Sequence, residues 1–225
     1  MSSKQAKQEK KLVTSNDVFL YIPNLIGYSR VVTAVLSFMA MPNHPMYTAL
    51  IYTVSCLLDA LDGTMARKYN QCSKFGAVLD MITDRSTTSS LLCFLSILYP
   101  KYCIIFQILL SLDLSSHYIH MYSTLIDAKN ETKSHKSIDE NSNYFLKLYY
   151  SNRTVLFMIC AFNEIVYGGI YLIGFQKYAK VGYFLFYISL PGFLFKQFTN
   201  ILQLQRASII LASIDADDAN KANKY

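Results

Sequence analysis

Four aspartates lie close together within an otherwise apolar stretch of the sequence. Asp59 and Asp62 are three residues apart, so on a helix they share one face. Asp80 and Asp84 are four apart and share a face in the same way. Negative charge gathered at the edge of a membrane needs a compensating cation, and oxygen ligands favour a hard divalent ion such as Mg²⁺ or Mn²⁺. The spacing therefore predicts a centre for a pair of divalent cations, which in such sites lie roughly 3.5–4 Å apart and clamp a phosphoryl group.

The residues between the two aspartate pairs suit a phosphate-containing substrate. Arg67 carries a planar guanidinium that matches phosphate oxygens and stabilises the charge that develops on them. Gly63 and Gly76 allow a nucleotide or phosphate to approach the backbone closely. Ala66 is small and follows Asp62 by four residues, which keeps that face open. Together these positions favour phosphoryl-transfer chemistry.

The composition indicates that these residues belong to a membrane protein. The chain has 225 residues, of which 52% are hydrophobic and 16% charged. A membrane-spanning helix needs roughly 20 mostly apolar residues. The chain supplies about six such segments, which leaves little length for a separate soluble domain. We expect an all-α, polytopic integral membrane protein with six transmembrane helices around a polar cavity at the cytosolic side. The predicted spans are residues 24–41, 46–61, 75–98, 102–125, 153–175 and 181–204.

The remaining segments are polar and flank one predicted domain over residues 23–205. Residues 1–22 read as a basic arm, either lying on an anionic leaflet or a solvated tail, followed by an interfacial segment without a cleavable signal. Residues 63–74 read as a polar connection, and residues 206–225 as a polar, disordered tail. The five cysteines form no C-x-x-C pair and read as small buried hydrophobes.

The distribution of basic residues predicts the orientation in the membrane. Lysines and arginines concentrate in the N-terminal arm, the 63–74 connection, the 127–143 loop and the C-terminal tail, against three lysines on the other side. Because cytoplasmic loops carry the excess of basic residues, we expect both termini in the cytosol. The four aspartates would then share one depth, and one cytosol-facing cavity, with Arg67, His117, His120 and Arg153.

The spacing of the central residues resembles the complete signature of the CDP-alcohol phosphatidyltransferase family. The pattern is Asp59-x2-Asp62-Gly63-x2-Ala66-Arg67-x8-Gly76-x3-Asp80-x3-Asp84. Pro23-Asn24 and Arg30 also resemble the first span of this family. More locally, residues 84–90 (DRSTTSS), 115–122 (SSHYIHMY) and 152–157 (NRTVLF) resemble the eukaryotic, inositol-accepting branch.

The resemblance implies an activity, cofactors and site residues. The implied reaction transfers the phosphatidyl group of CDP-diacylglycerol to myo-inositol, which gives phosphatidylinositol and CMP. Metal would be bound by Asp59, Asp62 and Asp80, while Asp84 would complete the second metal site and act as general base. Contacts to the CDP portion would come from three further residues, Gly63, Arg67 and Ser73. The resemblance also implies a homodimer in the endoplasmic reticulum membrane, with the Golgi or the mitochondrial outer membrane as alternatives; we expect no nucleic-acid partner.

Polar residues on the later spans carry weaker signals. Asp113, His117 and His120 recur at helical spacing, which fits lining for inositol, a separate metal site or helix packing. Arg153 suits the diphosphate or the membrane interface. Glu164 is costly in a span if unpaired, so we predict a polar partner other than Asn163, whose neighbouring position points it to a different face.

Three rival functions remain open on the sequence. The same chemistry could use another acceptor, such as serine, glycerol 3-phosphate, choline or ethanolamine. Acidic residues within a membrane also occur in ion-coupled transporters. An aspartate-rich membrane prenyltransferase would need neither the glycines nor Arg67.

Overall fold

The computed structural model describes residues 12–127 and 153–222 of the chain, and all regular secondary structure in these ranges is helical. The N-terminal arm up to residue 11 and most of the predicted 127–143 loop lie outside them. The helices are α1 (Ser15–Phe19), α2 (Ile22–Ala40), α3 (Pro45–Lys68), α4 (Lys74–Leu98), α5 (Cys103–Asp127), α6 (Arg153–Ile173) and α7 (Ala179–Ala222). Short 3₁₀ turns precede α5 and α7. The all-α prediction is confirmed for the described residues.

The chain forms two compact units, one ending at Ser86 and the other beginning at Thr87. The first contains α1, α2, α3 and the start of α4. The second contains the rest of α4 with α5, α6 and α7. All four aspartates of the predicted centre therefore belong to the first unit.

The end of α3 differs from the prediction. Its helix does not stop at Leu61 but continues through Gly63 to Lys68, so the predicted 63–74 connection is reduced to a short turn. Asn70 has a φ of 54°, and the amide of Gln71 donates to the carbonyl oxygen of Ala66 at 2.9 Å. This is a Schellman closure, in which a residue in the left-handed region satisfies the last helical carbonyls. The stop signal is Asn70, and Gly63 is an ordinary helical residue.

In the first unit, α2 packs against α3 and contacts α4. Pro23 lies in the first turn of α2, where the missing N–H has no cost. Further along, a Cβ added to Gly27 would lie 3.0 Å from the Leu79 side chain, so α2 and α4 approach closely at this level. The side-chain amide of Asn24 donates to the carbonyl oxygen of Val18 at 2.6 Å and ties α1 to α2. These contacts fix the positions from which Arg30 and the aspartates project.

In the second unit, α6 and α7 cross at a pair of glycines. A Cβ on Gly182 would lie 2.7 Å from the carbonyl oxygen of Gly169, which leaves no room for a side chain. Small residues of this kind allow helix backbones to approach within a membrane. The neighbouring core contains Leu95, Val166 and Tyr167, each with at most 1% of its surface exposed.

The described helices include four that are long and apolar enough to cross a membrane, namely Ile22–Ala40, Pro45–Lys68, Pro100–Ile126 and Thr154–Ile173. Many large apolar side chains on these helices are exposed, as expected for surfaces that face lipid. The last helix, α7, passes through Pro191 and ends only at Ala222. The prediction of a disordered tail from residue 206 is therefore wrong for the described part of that tail.

Candidate active site

The guanidinium of Arg30 contacts all four aspartates of the predicted centre. Its Nη1 lies 2.8 Å from Asp62 Oδ2 and 2.6 Å from Asp80 Oδ1. Its Nη2 lies 2.6 Å from Asp59 Oδ1 and also donates to Asp84 Oδ1. The predicted convergence of the carboxylates is thus present within the first unit, and a guanidinium lies at its centre.

Three helices supply these side chains, and the exposed fractions of the side chains differ. Arg30 comes from the middle of α2 and is 3% exposed. Asp62 on α3 is 11% exposed, whereas Asp59 on the same helix is 36% exposed. Among the α4 residues, Asp80 is 46% exposed and Asp84 34%. The arginine is therefore enclosed, while three of the four carboxylates remain partly exposed.

The donor set fits a hard divalent cation. Asp59, Asp62 and Asp80 each offer a carboxylate oxygen, and these three oxygens lie within 4.8 Å of one another. Oxygen-only ligands of this kind suit Mg²⁺ or Mn²⁺. Asp84 lies outside this trio but shares the Arg30 guanidinium with it. Within residues 12–127 and 153–222, this is the one cluster of side chains that meets such a criterion.

A cleft of about 190 Å³ adjoins the carboxylates. Asp62 and Asp80 line it together with Gly63, Arg67 and Ser73, the three residues expected to contact a CDP group. A Cβ on Gly63 would make only ordinary contacts, 3.5 Å from the Arg67 guanidinium, so this glycine leaves open space in the cleft. The cleft thus combines carboxylates, a guanidinium and an open backbone position.

Gly76 also lines the cleft, but helix packing, and not the predicted approach of a nucleotide, explains why this position has no side chain. A Cβ at this position would lie 2.7 Å from Oδ1 of the buried Asn24 and 3.0 Å from Ser73 Oγ. The Ser73 hydroxyl accepts a hydrogen bond from the Gly76 amide at 3.0 Å and caps α4. The missing side chain therefore lets α2 and α4 come together beside the site.

The predicted inositol-lining residues belong to the second unit. His117 Nδ1 lies 2.7 Å from the carbonyl oxygen of Asp113 and 3.6 Å from Asp113 Oδ1. Its Nε2 lies 3.5 Å from Nζ of Lys196, whose surface is only 2% exposed. His120 is half-buried on the same helix. Arg153 is the first residue of α6, and its side chain lies outside the described part of the chain.

The alternative of a separate metal site at Asp113, His117 and His120 gains no support, since these residues are not among the described groups with ligand atoms close enough to share an ion.

The prediction of a polar partner for Glu164 is confirmed, because the hydroxyl of Thr88 donates to Glu164 Oε1 at 3.0 Å. The exclusion of Asn163 was wrong: its side-chain amide donates to the same oxygen at 3.1 Å. Flexible side chains allow this contact between sequence neighbours.

Two buried cations receive no role from the sequence pattern. The pattern indicates Arg30 only through the family resemblance, and it does not distinguish Lys196. A signal for both existed, because a charged residue within an apolar span requires a partner. The sequence did not show which partner, since Arg30 and Asp84 are 54 residues apart.

The fold and the site define a class: a helical membrane protein with a carboxylate centre and an adjacent cleft suited to a phosphate-containing ligand. A family model described as CDP-alcohol phosphatidyltransferase matches residues 20–214. The chain belongs to the CDP-alcohol phosphatidyltransferase family.

Within this family, the chain is similar to curated proteins that share one name. The chain is 56% identical to a Saccharomyces cerevisiae protein named CDP-diacylglycerol–inositol 3-phosphatidyltransferase, over 94% of this chain and 95% of the relative. Proteins of the same name from Candida albicans and Homo sapiens are 52% and 41% identical. These alignments cover 94% and 91% of this chain and 90% and 97% of the relatives. No solved structure was found to match the chain.

Proposed function

We propose that this protein transfers the phosphatidyl group of CDP-diacylglycerol to myo-inositol, giving phosphatidylinositol and CMP. The observation that carries the proposal is the convergence of Asp59, Asp62, Asp80 and Asp84 beside a cleft that contains Arg67. The choice of inositol as acceptor rests on the similarity to relatives that bear this name.

Asp59, Asp62 and Asp80 would hold the first of two divalent cations, Mg²⁺ or Mn²⁺, and Asp84 would complete the second site. The three oxygens within 4.8 Å of one another support the first assignment. When bound, the cations neutralise charge on the phosphoryl oxygens and on the leaving group. The protein's own contribution is the preorganised geometry of the carboxylates.

Asp84 acts as general base. Its carboxylate accepts the proton of the attacking inositol hydroxyl, and the hydroxyl oxygen forms a bond to the phosphorus that carries diacylglycerol. The bond between this phosphorus and the CMP oxygen breaks, and CMP leaves with that oxygen. The 34% exposure of the Asp84 side chain is consistent with access for an alcohol.

Gly63, Arg67 and Ser73 bind the CDP portion. Arg67 supplies a guanidinium that pairs with the diphosphate, and Gly63 leaves the cleft open at this point. The Ser73 hydroxyl lies at the start of α4, where backbone amides favour an anion.

His117, His120 and Arg153 line the inositol side of the reaction. Neutral polyols are recognised by hydrogen bonds, for which the histidine rings offer both donors and acceptors. The contact of His117 Nε2 with Lys196 holds this imidazole in place, and the half-buried His120 offers a second ring on the same helix.

The protein crosses the membrane six times with both termini and the active site in the cytosol, and it acts as a homodimer in the endoplasmic reticulum. Four apolar helices support a membrane location, and α4 and α7 complete the six spans of the proposal. The distribution of basic residues supports the cytosolic termini. An active site at this face lets the lipid enter from the bilayer while inositol and CMP exchange with the cytosol.

The test is CMP release from CDP-diacylglycerol by the purified protein, with myo-inositol, serine, glycerol 3-phosphate or no acceptor, and with Mg²⁺, Mn²⁺ or EDTA. We expect release that requires both inositol and a divalent cation. Metal-dependent release with another acceptor would change the product and keep the mechanism. No release from folded protein under any of these conditions would contradict the proposal and favour an ion-coupled transporter.

A further inference from the structure

Arg30 occupies a singular position among the charged residues of the first unit. Its side chain is only 3% exposed, and its two terminal nitrogens contact all four aspartates. An arginine this deeply buried requires charged partners, because an unpaired buried charge is very costly. Conversely, four carboxylates this close together repel one another without a cation among them. The guanidinium and the carboxylates therefore stabilise each other.

The same carboxylates are the proposed metal ligands. Arg30 contacts Asp59 Oδ1, Asp62 Oδ2 and Asp80 Oδ1 at 2.6–2.8 Å, and these aspartates form the trio that suits a divalent cation. A cation held by the trio would compete with the guanidinium for the same three carboxylates. It also meets a positive charge at close range, which opposes its entry.

We infer that Arg30 is a resident counter-ion of the carboxylate centre, which a divalent cation must displace from the aspartate oxygens in order to bind. This inference rests on the metal site of the proposed function and adds a role for a residue that the function did not use. Arg30 is thus a positioning residue: it holds the carboxylates in place and sets the affinity for the metal.

Binding of Mn²⁺, measured by the loss of the free-ion signal in electron paramagnetic resonance, tests the inference without any turnover. We expect Arg30→Ala to bind Mn²⁺ about tenfold more tightly than the unchanged protein, because a competing charge has been removed. In EDTA, the variant should melt at a lower temperature, and Mn²⁺ should restore its stability. Added ethylguanidinium should weaken Mn²⁺ binding to Arg30→Ala and leave that of the unchanged protein unaltered.

Two further variants keep the result interpretable. Arg67→Ala removes the same charge from the adjacent cleft, where Arg67 forms no ion pair with the described residues, and should change Mn²⁺ affinity less. Arg30→Lys preserves the charge but cannot bridge four carboxylates, so it should bind Mn²⁺ more tightly than the unchanged protein even where Arg30→Ala does not fold.

The outcomes separate the inference from the function on which it rests. Equal or weaker Mn²⁺ binding by Arg30→Ala, or an affinity of Arg30→Lys equal to that of the unchanged protein, would overturn the role of Arg30. Equal Mn²⁺ binding by Asp80→Ala and the unchanged protein would instead contradict the metal site itself.

Discussion

The two units of the chain treat buried polar groups differently. In the first, four carboxylates contact the guanidinium of Arg30, and Arg85 adds one longer ion pair of 3.5 Å to Asp84, so negative charge exceeds positive charge in the cluster. In the second, polar groups contact one another in short series, as when Gln197 donates to Asn163 and Asn163 donates to Glu164. An excess of one charge creates affinity for a further cation, whereas hydrogen bonds that join a single carboxylate to neutral side chains mainly hold helices together. Charge balance, rather than polarity alone, distinguishes the candidate catalytic centre.

The largest effect on activity that we predict comes from removing one carboxylate of the aspartate cluster in the first unit. Asp80→Ala should lower the rate of CMP release at least about a thousandfold, because a lost metal ligand removes several kcal/mol of transition-state stabilisation. EDTA should have a comparable effect on the unchanged protein. The measurement is initial CMP release over a range of Mn²⁺ concentrations.

Asp217→Ala, at an exposed position on α7, is the matched control and should retain full activity. A small effect of Asp80→Ala would mean that the charge excess of the first unit is structural, and the contrast between the units would fail.

A second prediction separates two roles within the same cluster. Asp84→Asn should lower kcat by about a hundredfold or more, because an amide cannot accept the proton of the inositol hydroxyl. Binding of CDP-diacylglycerol, measured directly, should change little, since Gly63, Arg67 and Ser73 remain in place. Loss of lipid binding with retained turnover would contradict the assignment of Asp84 as base.

The sequence predicted the presence of the helices better than the residues at which they end. It also predicted the convergence of the aspartates better than the arginine that contacts them. Apolar runs locate helices because burial and lipid contact require them, but α3 ends where Asn70 adopts a left-handed conformation, which neither the apolar pattern nor Gly63 indicated. The aspartate spacing is local and could be read directly from the chain. The contacts of Arg30 join α2 to α3 and α4, and such pairing depends on how the helices pack.

In the second unit, we expect a loss of stability with little loss of chemistry. Glu164→Ala leaves the hydroxyl of the buried Thr88 and the amide of Asn163 without their shared acceptor, which should cost about 1–3 kcal/mol. The melting temperature in detergent should fall, while CMP release at low temperature should remain.

Glu164→Gln is the matched variant, because its carbonyl oxygen still accepts both hydrogen bonds. It should lie close to the unchanged protein in stability. A large loss of activity in the well-folded Glu164→Gln protein would mean that the charge of the second unit is itself catalytic.

The smallest predicted effect tests whether any part of the second unit serves the substrate. His117→Ala should raise the KM for inositol about two- to tenfold and leave the KM for CDP-diacylglycerol unchanged, because one neutral hydrogen bond contributes about 0.5–1.5 kcal/mol. Tyr118→Ala, at an exposed neighbouring position on α5, should change neither value. An unchanged inositol KM together with a lower melting temperature would assign His117 to helix packing with Asp113 and Lys196. His117 would then have no role in inositol binding. The first unit, with its excess of carboxylates, would supply the chemistry, and the polar groups around His117 in the second unit would serve stability.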